Sequence, residues 1–184
     1  MNKSLLSNSN TIVSAEDIAS RVGELARQID HDYQNYDQLL LLGILRGAFI
    51  FLADLARQLQ TPHVVDFMAL TSYSKDKALG EVRILMDSRE IIKDQHVLIV
   101  EDILDRGNTL KHLYHTIQDR KPASLRSCVL VRKKRPDLHL SFPLDYVGFD
   151  IPDVWVVGYG LDYDNLYRTL PYIAELKMSE TDKM

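Results

Sequence analysis

Apolar positions recur along this chain with two periods, helical and continuous, and the two alternate. Ile18, Val22, Leu25, Ala26 and Ile29 form one stripe of a helix with a polar opposite face. Ser14 with Asp17 opens it as a capping box, Asp standing in place of Glu. Leu39 to Ile44 is a continuous apolar run ending at Leu45-Arg46-Gly47. A second amphipathic segment follows, with Phe49, Leu52, Ala53, Leu55, Ala56 and Leu59 on its apolar side. Beyond Pro62, Val64 to Ala69 reads as a strand continuing toward Ser72-Tyr73. A polar stretch from Ser74 to Glu81 leads to a returning strand at Val82, Ile84 and Met86. Val97 to Val100, β-branched at three positions of four, suits a strand buried on both faces of a parallel sheet. Leu110, Leu113, Tyr114 and Ile117 return to helical spacing, with an end near Lys121-Pro122. Strands at Ser127 to Val131 and Leu144 to Phe149 complete the pattern. This alternation predicts an α/β fold with a mostly parallel central sheet flanked by helices on both faces. Met1 to Thr11 reads as a loose end, and Leu176 to Met184 as a fraying one.

The totals narrow the class. A chain of 184 residues, 46% hydrophobic and 26% charged, fits one globular domain with a full core. Its net charge of −4 argues against general binding to nucleic acid or anionic lipid. No apolar run approaches the ~18 residues of a membrane span. Met1 to Asn10 lacks the apolar centre of an export signal. The single cysteine, Cys128, lies in an apolar run; it excludes an intrachain disulfide and suits a reducing, cytoplasmic setting.

The chemistry concentrates between His96 and Leu110. The apolar run of Val97 to Val100 is followed by Glu101 and Asp102, then Ile103 and Leu104, then Asp105-Arg106-Gly107-Asn108-Thr109. Strand, acidic turn and helix are expected in that order, with Thr109 capping or starting the helix. Ligands of open α/β sheets bind at such carboxyl ends, where the first helical amides attract anions. A ligand with hydroxyls on one side and phosphate on the other reconciles these acids with an anion site. A ribose 5-phosphate fits, its diol on Glu101 and Asp102 and its phosphate in the turn from Asp105 to Thr109. An acidic turn in any doubly wound domain is the simpler reading of that stretch alone. Neither a G-x-x-x-x-G-K-[ST] loop nor a G-x-G-x-x-G turn after a strand is present.

The stretch resembles the phosphoribosyl-pyrophosphate (PRPP) motif of type I phosphoribosyltransferases. From about residue 12 to 175, further motifs occur in that family's order, and they are similar to those of its hypoxanthine and hypoxanthine-guanine branch. The resemblance implies one domain over residues 1–184. Its core would span about 35–132, and a small hood over the base would come from about 1–30 and 133–184. It implies transfer of 5-phosphoribosyl from PRPP to N9 of hypoxanthine or guanine, giving IMP or GMP and pyrophosphate, with Mg²⁺. Asp105 would be the general base at N7. Arg46 and Gly47 would contact pyrophosphate in a turn that in the family often holds a non-proline cis bond; Arg168, in Leu-Tyr-Arg, would contact it too. Arg106, Gly107, Asn108 and Thr109 would wrap the 5′-phosphate. Arg106 departs from the family's small hydroxylated residue, so its side chain either turns outward or meets the ligand. Lys133 would meet the purine 6-oxo group, with Lys134 the alternative. Trp155 would stack on the purine or else anchor the core, and Val156 would offer backbone groups to the base edge. Asp162 would join Glu101 and Asp102 around the metal by pyrophosphate and would also belong to the purine-binding set. Ser72-Tyr73 would open a mobile lid. The family is dimeric or tetrameric, so a homo-oligomer is implied. Some PRPP-binding relatives are regulators of RNA or DNA; that alternative needs a basic face beyond Arg132 to Arg135, and none is evident.

Overall fold

The computed structural model describes residues 10–73, 81–136 and 138–177. In chain order they form β1 (Thr11–Val13), α1 (Ala15–Tyr33), β2 (Leu39–Leu45), α2 (Phe49–Gln58), β3 (His63–Tyr73), β4 (Glu81–Met86), β5 (His96–Leu104), α3 (Asn108–Gln118), β6 (Ser124–Lys133), β7 (Tyr146–Ile151), β8 (Val156–Val157) and β9 (Ile173–Glu175). A six-stranded sheet has the order β4-β3-β2-β5-β6-β7. Every neighbouring pair in it is parallel except β3 with β4.

The continuous apolar runs are explained by cover on both faces of this sheet. Along β2, β5 and β6, Leu39, Leu41, Leu98, Val100, Cys128 and Leu130 pack with α1 and α2. Their alternate neighbours Leu40, Leu42, Val97, Ile99 and Val129 pack with Leu110, Leu113 and Ile117 of α3. Cys128 is free and buried, and burial pushes its thiol far up from its ordinary 9.0. It is a core residue. No helix among the described residues is long and apolar enough to cross a membrane.

Local chemistry sets the helix ends. The Asp17 amide donates to Ser14 Oγ at 3.0 Å, and Ser14 Oγ donates to the Asp17 carboxylate at 2.7 Å. The N-termini of α2 and α3 are different: neither carries a side-chain cap nor an acid in its first turn. Gly107 precedes α3 at φ 77°, a left-handed conformation open to glycine, so the helix starts at Asn108 rather than being capped by Thr109. It stops at Gln118, short of Lys121, which has φ 58° and is followed by Pro122.

Several boundaries move. β5 runs on past Val100, because Glu101 pairs with Val129 and Leu104 with Arg132 on the equally extended β6. Glu101 and Asp102 therefore sit on the strand, and Arg132 and Lys133 end β6. β7 belongs to the central sheet, and α1 packs over it, so the core is not confined to residues 35–132. Arg21 of α1 donates to the carbonyls of Gly148 and Val147 at 2.9 and 2.8 Å, occupying groups on this edge strand. A separate three-stranded sheet of order β1-β9-β8 joins chain from near both ends. Thr11 is part of it rather than of a loose end. The lid expected after Ser72 and Tyr73, which end β3, falls on residues 74–80, outside the described residues, as do 1–9 and 178–184 of the two chain ends.

Candidate active site

Three chain segments converge at the carboxyl edge of the central sheet. The first is Leu45-Arg46-Gly47, between β2 and the open N-terminus of α2; its Leu45–Arg46 peptide is cis. The second is the end of β5 with the turn into α3. The third is the loop from Gly158 to Arg168 after the small sheet. Glycine allows them to touch. A Cβ on Gly47 would fall inside the Asp102 carboxylate, and one on Gly160, at φ 104°, would overlap the Gly47 carbonyl oxygen. Arg168 fastens the third segment by donating to Gly160 O at 2.7 Å and pairing with Asp162 at 2.6 Å. The Asn165 amide donates to the other Asp162 oxygen at 2.8 Å.

Glu101 through Leu110 line a cavity of about 470 Å³. Its floor is acidic and its far wall is the amide-rich start of α3. First-turn helical amides have no intrahelical acceptor, and here no side chain takes them, which leaves them to an anion. Arg106 is exposed and is part of the cavity lining, while Asn108 and Thr109 begin the helix. Arg46 is exposed at the same edge.

Burial raises the Glu101 carboxyl well above its ordinary 4.5, and the Asp102 charge raises it further. Burial also raises Asp102 above 3.8, against a lowering by hydrogen bonds and the Arg168 charge. A native acid with a raised value binds more protons than its unfolded counterpart in the interval above 4.5. Stability is therefore lost as pH climbs through that interval and stays reduced above it. Glu101→Gln is expected to raise the melting temperature of the ligand-free protein above about pH 5, with the gain shrinking toward pH 4. Melting curves of both proteins across pH check this; a pH-independent difference rejects it.

The other half of the site is a ring of alternating charge. Lys133 Nζ lies 3.6 Å from Asp105 and 3.4 Å from Asp153. Arg135 Nη2 lies 2.8 Å from each of the same two acids. Lys133 is nearly buried, whereas Lys134 is exposed and its amide donates to Ile151 O at 2.8 Å. Asp105 Oδ1 is buried without a hydrogen-bond partner. Trp155 is 61% exposed and is not a core anchor. Its ring stands 5.8 Å from Lys133 Nζ. Val156 follows it on β8, an edge strand of the small sheet.

Asp105, Lys133 and Trp155 thus come together, as do Gly47, Asp102 and Arg168. The proposed trio of metal acids does not assemble in the same way. Among the described residues no three acids, histidines or cysteines are close enough to hold an ion, and Asp162 is engaged by Arg168. Sequence reasoning passed over Arg135, Asp153 and Gly160. Arg135 stands two residues beyond Lys133 in the basic run, and its function is visible only once Asp105 and Asp153 are placed beside it.

A doubly covered parallel sheet with an acidic strand end and uncapped helices at one edge has counterparts among known proteins. Residues 8–164 match the phosphoribosyl transferase domain family, and the chain belongs to that family. Hypoxanthine-guanine phosphoribosyltransferase of Dictyostelium discoideum is 46% identical over 170 residues, covering 90% of this chain and 94% of its own. Hypoxanthine phosphoribosyltransferase of Escherichia coli strain K12 is 43% identical over 168 residues, covering 90% and 93%. A ternary substrates complex of a mutant hypoxanthine phosphoribosyltransferase from Trypanosoma cruzi superimposes with TM-score 0.84 at 41% identity, covering 91% and 94%. The chain is accordingly an enzyme of the hypoxanthine-guanine phosphoribosyltransferase type, acting in purine salvage.

Proposed function

We propose that the enzyme transfers 5-phosphoribosyl from PRPP to N9 of hypoxanthine or guanine, releasing pyrophosphate and giving IMP or GMP. The observation that carries this reading is Asp105 Oδ1, which is ion-paired with Arg135 at 2.8 Å yet accepts no hydrogen bond, beside Lys133 and Trp155. A purine lying on the Trp155 ring offers its N7–H to that oxygen and its 6-oxo group to the Lys133 ammonium. As N9 attacks C1′, the bond from C1′ to pyrophosphate breaks and Asp105 takes the N7 proton. The 5′-phosphate rests on the α3 amides, and the pyrophosphate lies toward Arg46, Gly47 and Arg168. Val156 main-chain groups meet the base edge.

Two adjacent carboxylates with raised affinity for protons, Glu101 buried and Asp102 half-buried, fit a divalent cation. Mg²⁺ tolerates one or two carboxylates when substrate oxygens complete its shell. Glu101 and Asp102, with Asp162, would hold Mg²⁺, which would supply charge to offset that of the leaving pyrophosphate; without ligand, Asp162 pairs with Arg168. Through Arg168 and the Asn165 amide, Asp162 also orders the loop that brings it near the base. In the Trypanosoma cruzi enzyme, a solved complex contains the product IMP, in keeping with the proposed product here.

The test is PRPP turnover with Mg²⁺ against hypoxanthine, guanine, xanthine and adenine. Hypoxanthine and guanine are expected to react. Adenine is not, because an ammonium only donates and a 6-amino group cannot accept from it. Preference for adenine, or no turnover with a 6-oxopurine, overturns the reading. Trp155→Ala is expected to raise KM for hypoxanthine about tenfold or more, since base stacking contributes roughly 1–3 kcal/mol. Its melting temperature should hold, because the ring is mostly in solvent. An unchanged KM removes the ring from the base site.

A further inference from the structure

We infer that Arg135 is a positioning residue that holds Asp105 and Lys133 apart, leaving one open as acceptor and the other open as donor to the purine; this rests on the reaction proposed above. The four charges Asp105, Lys133, Asp153 and Arg135 form a closed ring in which each cation faces both acids. The two cations hold the ring differently. Arg135 Nη2 is 2.8 Å from both carboxylates, the length of a charge-assisted contact. Lys133 Nζ stands off at 3.4 and 3.6 Å, so its donors are not committed to either acid. The aligned hydrogen bond of Arg135 goes to Asp153 Oδ1. Its approach to Asp105 Oδ1 is off-axis, which supplies charge there but leaves that oxygen without a hydrogen bond.

The guanidinium therefore balances the acids and consumes neither the Asp105 acceptor nor the Lys133 donors. Take it away, and Lys133 becomes the one cation, among the described residues, in ion-pair reach of both acids. An ammonium on a flexible four-carbon stem closes the remaining gap easily. The direct Lys133–Asp105 pair that results satisfies the two groups with each other. The purine must then break that pair in order to bind, and the proton acceptor is occupied. Of the PRPP side, Gly47, Asp102 and the start of α3 lie outside the ring, and Asp105 alone belongs to both.

The experiment is steady-state kinetics on Arg135→Ala, Arg135→Gln and Arg135→Lys with hypoxanthine and PRPP varied separately, beside thermal melts. Arg135→Ala and Arg135→Gln are expected to raise KM for hypoxanthine about tenfold and to lower kcat, which is the scale of one charge-assisted hydrogen bond. KM for PRPP should stay within about twofold. Arg135→Lys, which can still bridge both acids with one nitrogen, should recover most of the loss. Asp153→Asn, which removes the acid that aims Arg135, should show the same split and serves if Arg135→Ala melts early. Unchanged hypoxanthine KM and kcat in Arg135→Ala overturns the inference. So does an equal rise in KM for both substrates, or no recovery with lysine. Failure of the unmodified enzyme to use hypoxanthine would instead remove the proposed reaction.

Discussion

Asp105→Asn is expected to lower kcat by about 10²–10⁴-fold while KM for PRPP stays nearly constant. The amide keeps the size of the carboxylate but cannot take a proton. In the proposed reaction PRPP is held by the α3 amides and the Glu101–Asp102 pair, neither of which the substitution alters. The same change removes one acid from the ring with Lys133 and Arg135. An effect on hypoxanthine KM is therefore expected beside the larger one on turnover. Pre-steady-state measurement with both substrates saturating separates the two: the chemical step should slow by the full factor. Turnover within threefold of the unmodified enzyme, a loss on the order of 0.7 kcal/mol or less, would remove Asp105 from the proton transfer.

Gly160→Ala is expected to cost about 10²-fold in kcat/KM for PRPP, the scale reached when a site is misplaced by an ångström. Two effects add. The residue sits at φ 104°, where a side chain is strained, and its new methyl would overlap the Gly47 carbonyl. The loop must therefore lift away from the β2–α2 turn. Arg168, bound to Gly160 O, travels with it and leaves the neighbourhood of Asp102. The substitution lies on the loop and not in the central sheet, so circular dichroism should remain native while PRPP binding weakens. Isothermal titration with PRPP and Mg²⁺ measures it; undiminished affinity would show that the two turns need not touch.

Much of this fold could be read from the chain because burial on both sheet faces leaves an unmistakable trace. Leu39 to Ile44 and Val97 to Val100 are uninterrupted apolar runs because each alternate residue meets a different helix layer. The stretch from Glu101 to Thr109 was equally legible, since its chemistry is local. What escaped was set by tertiary pairing. β5 extends through Glu101 and Asp102 because β6 extends beside it, and no feature within residues 101–104 announces that. β7 was placed with the hood because its position after Lys133 in sequence hides its parallel pairing with β6. Trp155 alone suited a core or a ligand; only its exposure decides against the core. Arg135 carries no local sign of its role because its two acids, Asp105 and Asp153, are distant from it in sequence.

The small sheet gives the molecule an order in time. Its middle strand, β9, is the last to be synthesised, and β8 beside Trp155 pairs with it alone within that sheet. The segments around the phosphate cavity, from Leu39 to Gln118, precede it by more than fifty residues. A nascent chain thus holds the turn proposed for the 5′-phosphate, though not yet Gly160 and Arg168, well before the strand beside Trp155 has its neighbour. Early termination ahead of Ile173 would leave a sugar-phosphate cradle with no seat for the base.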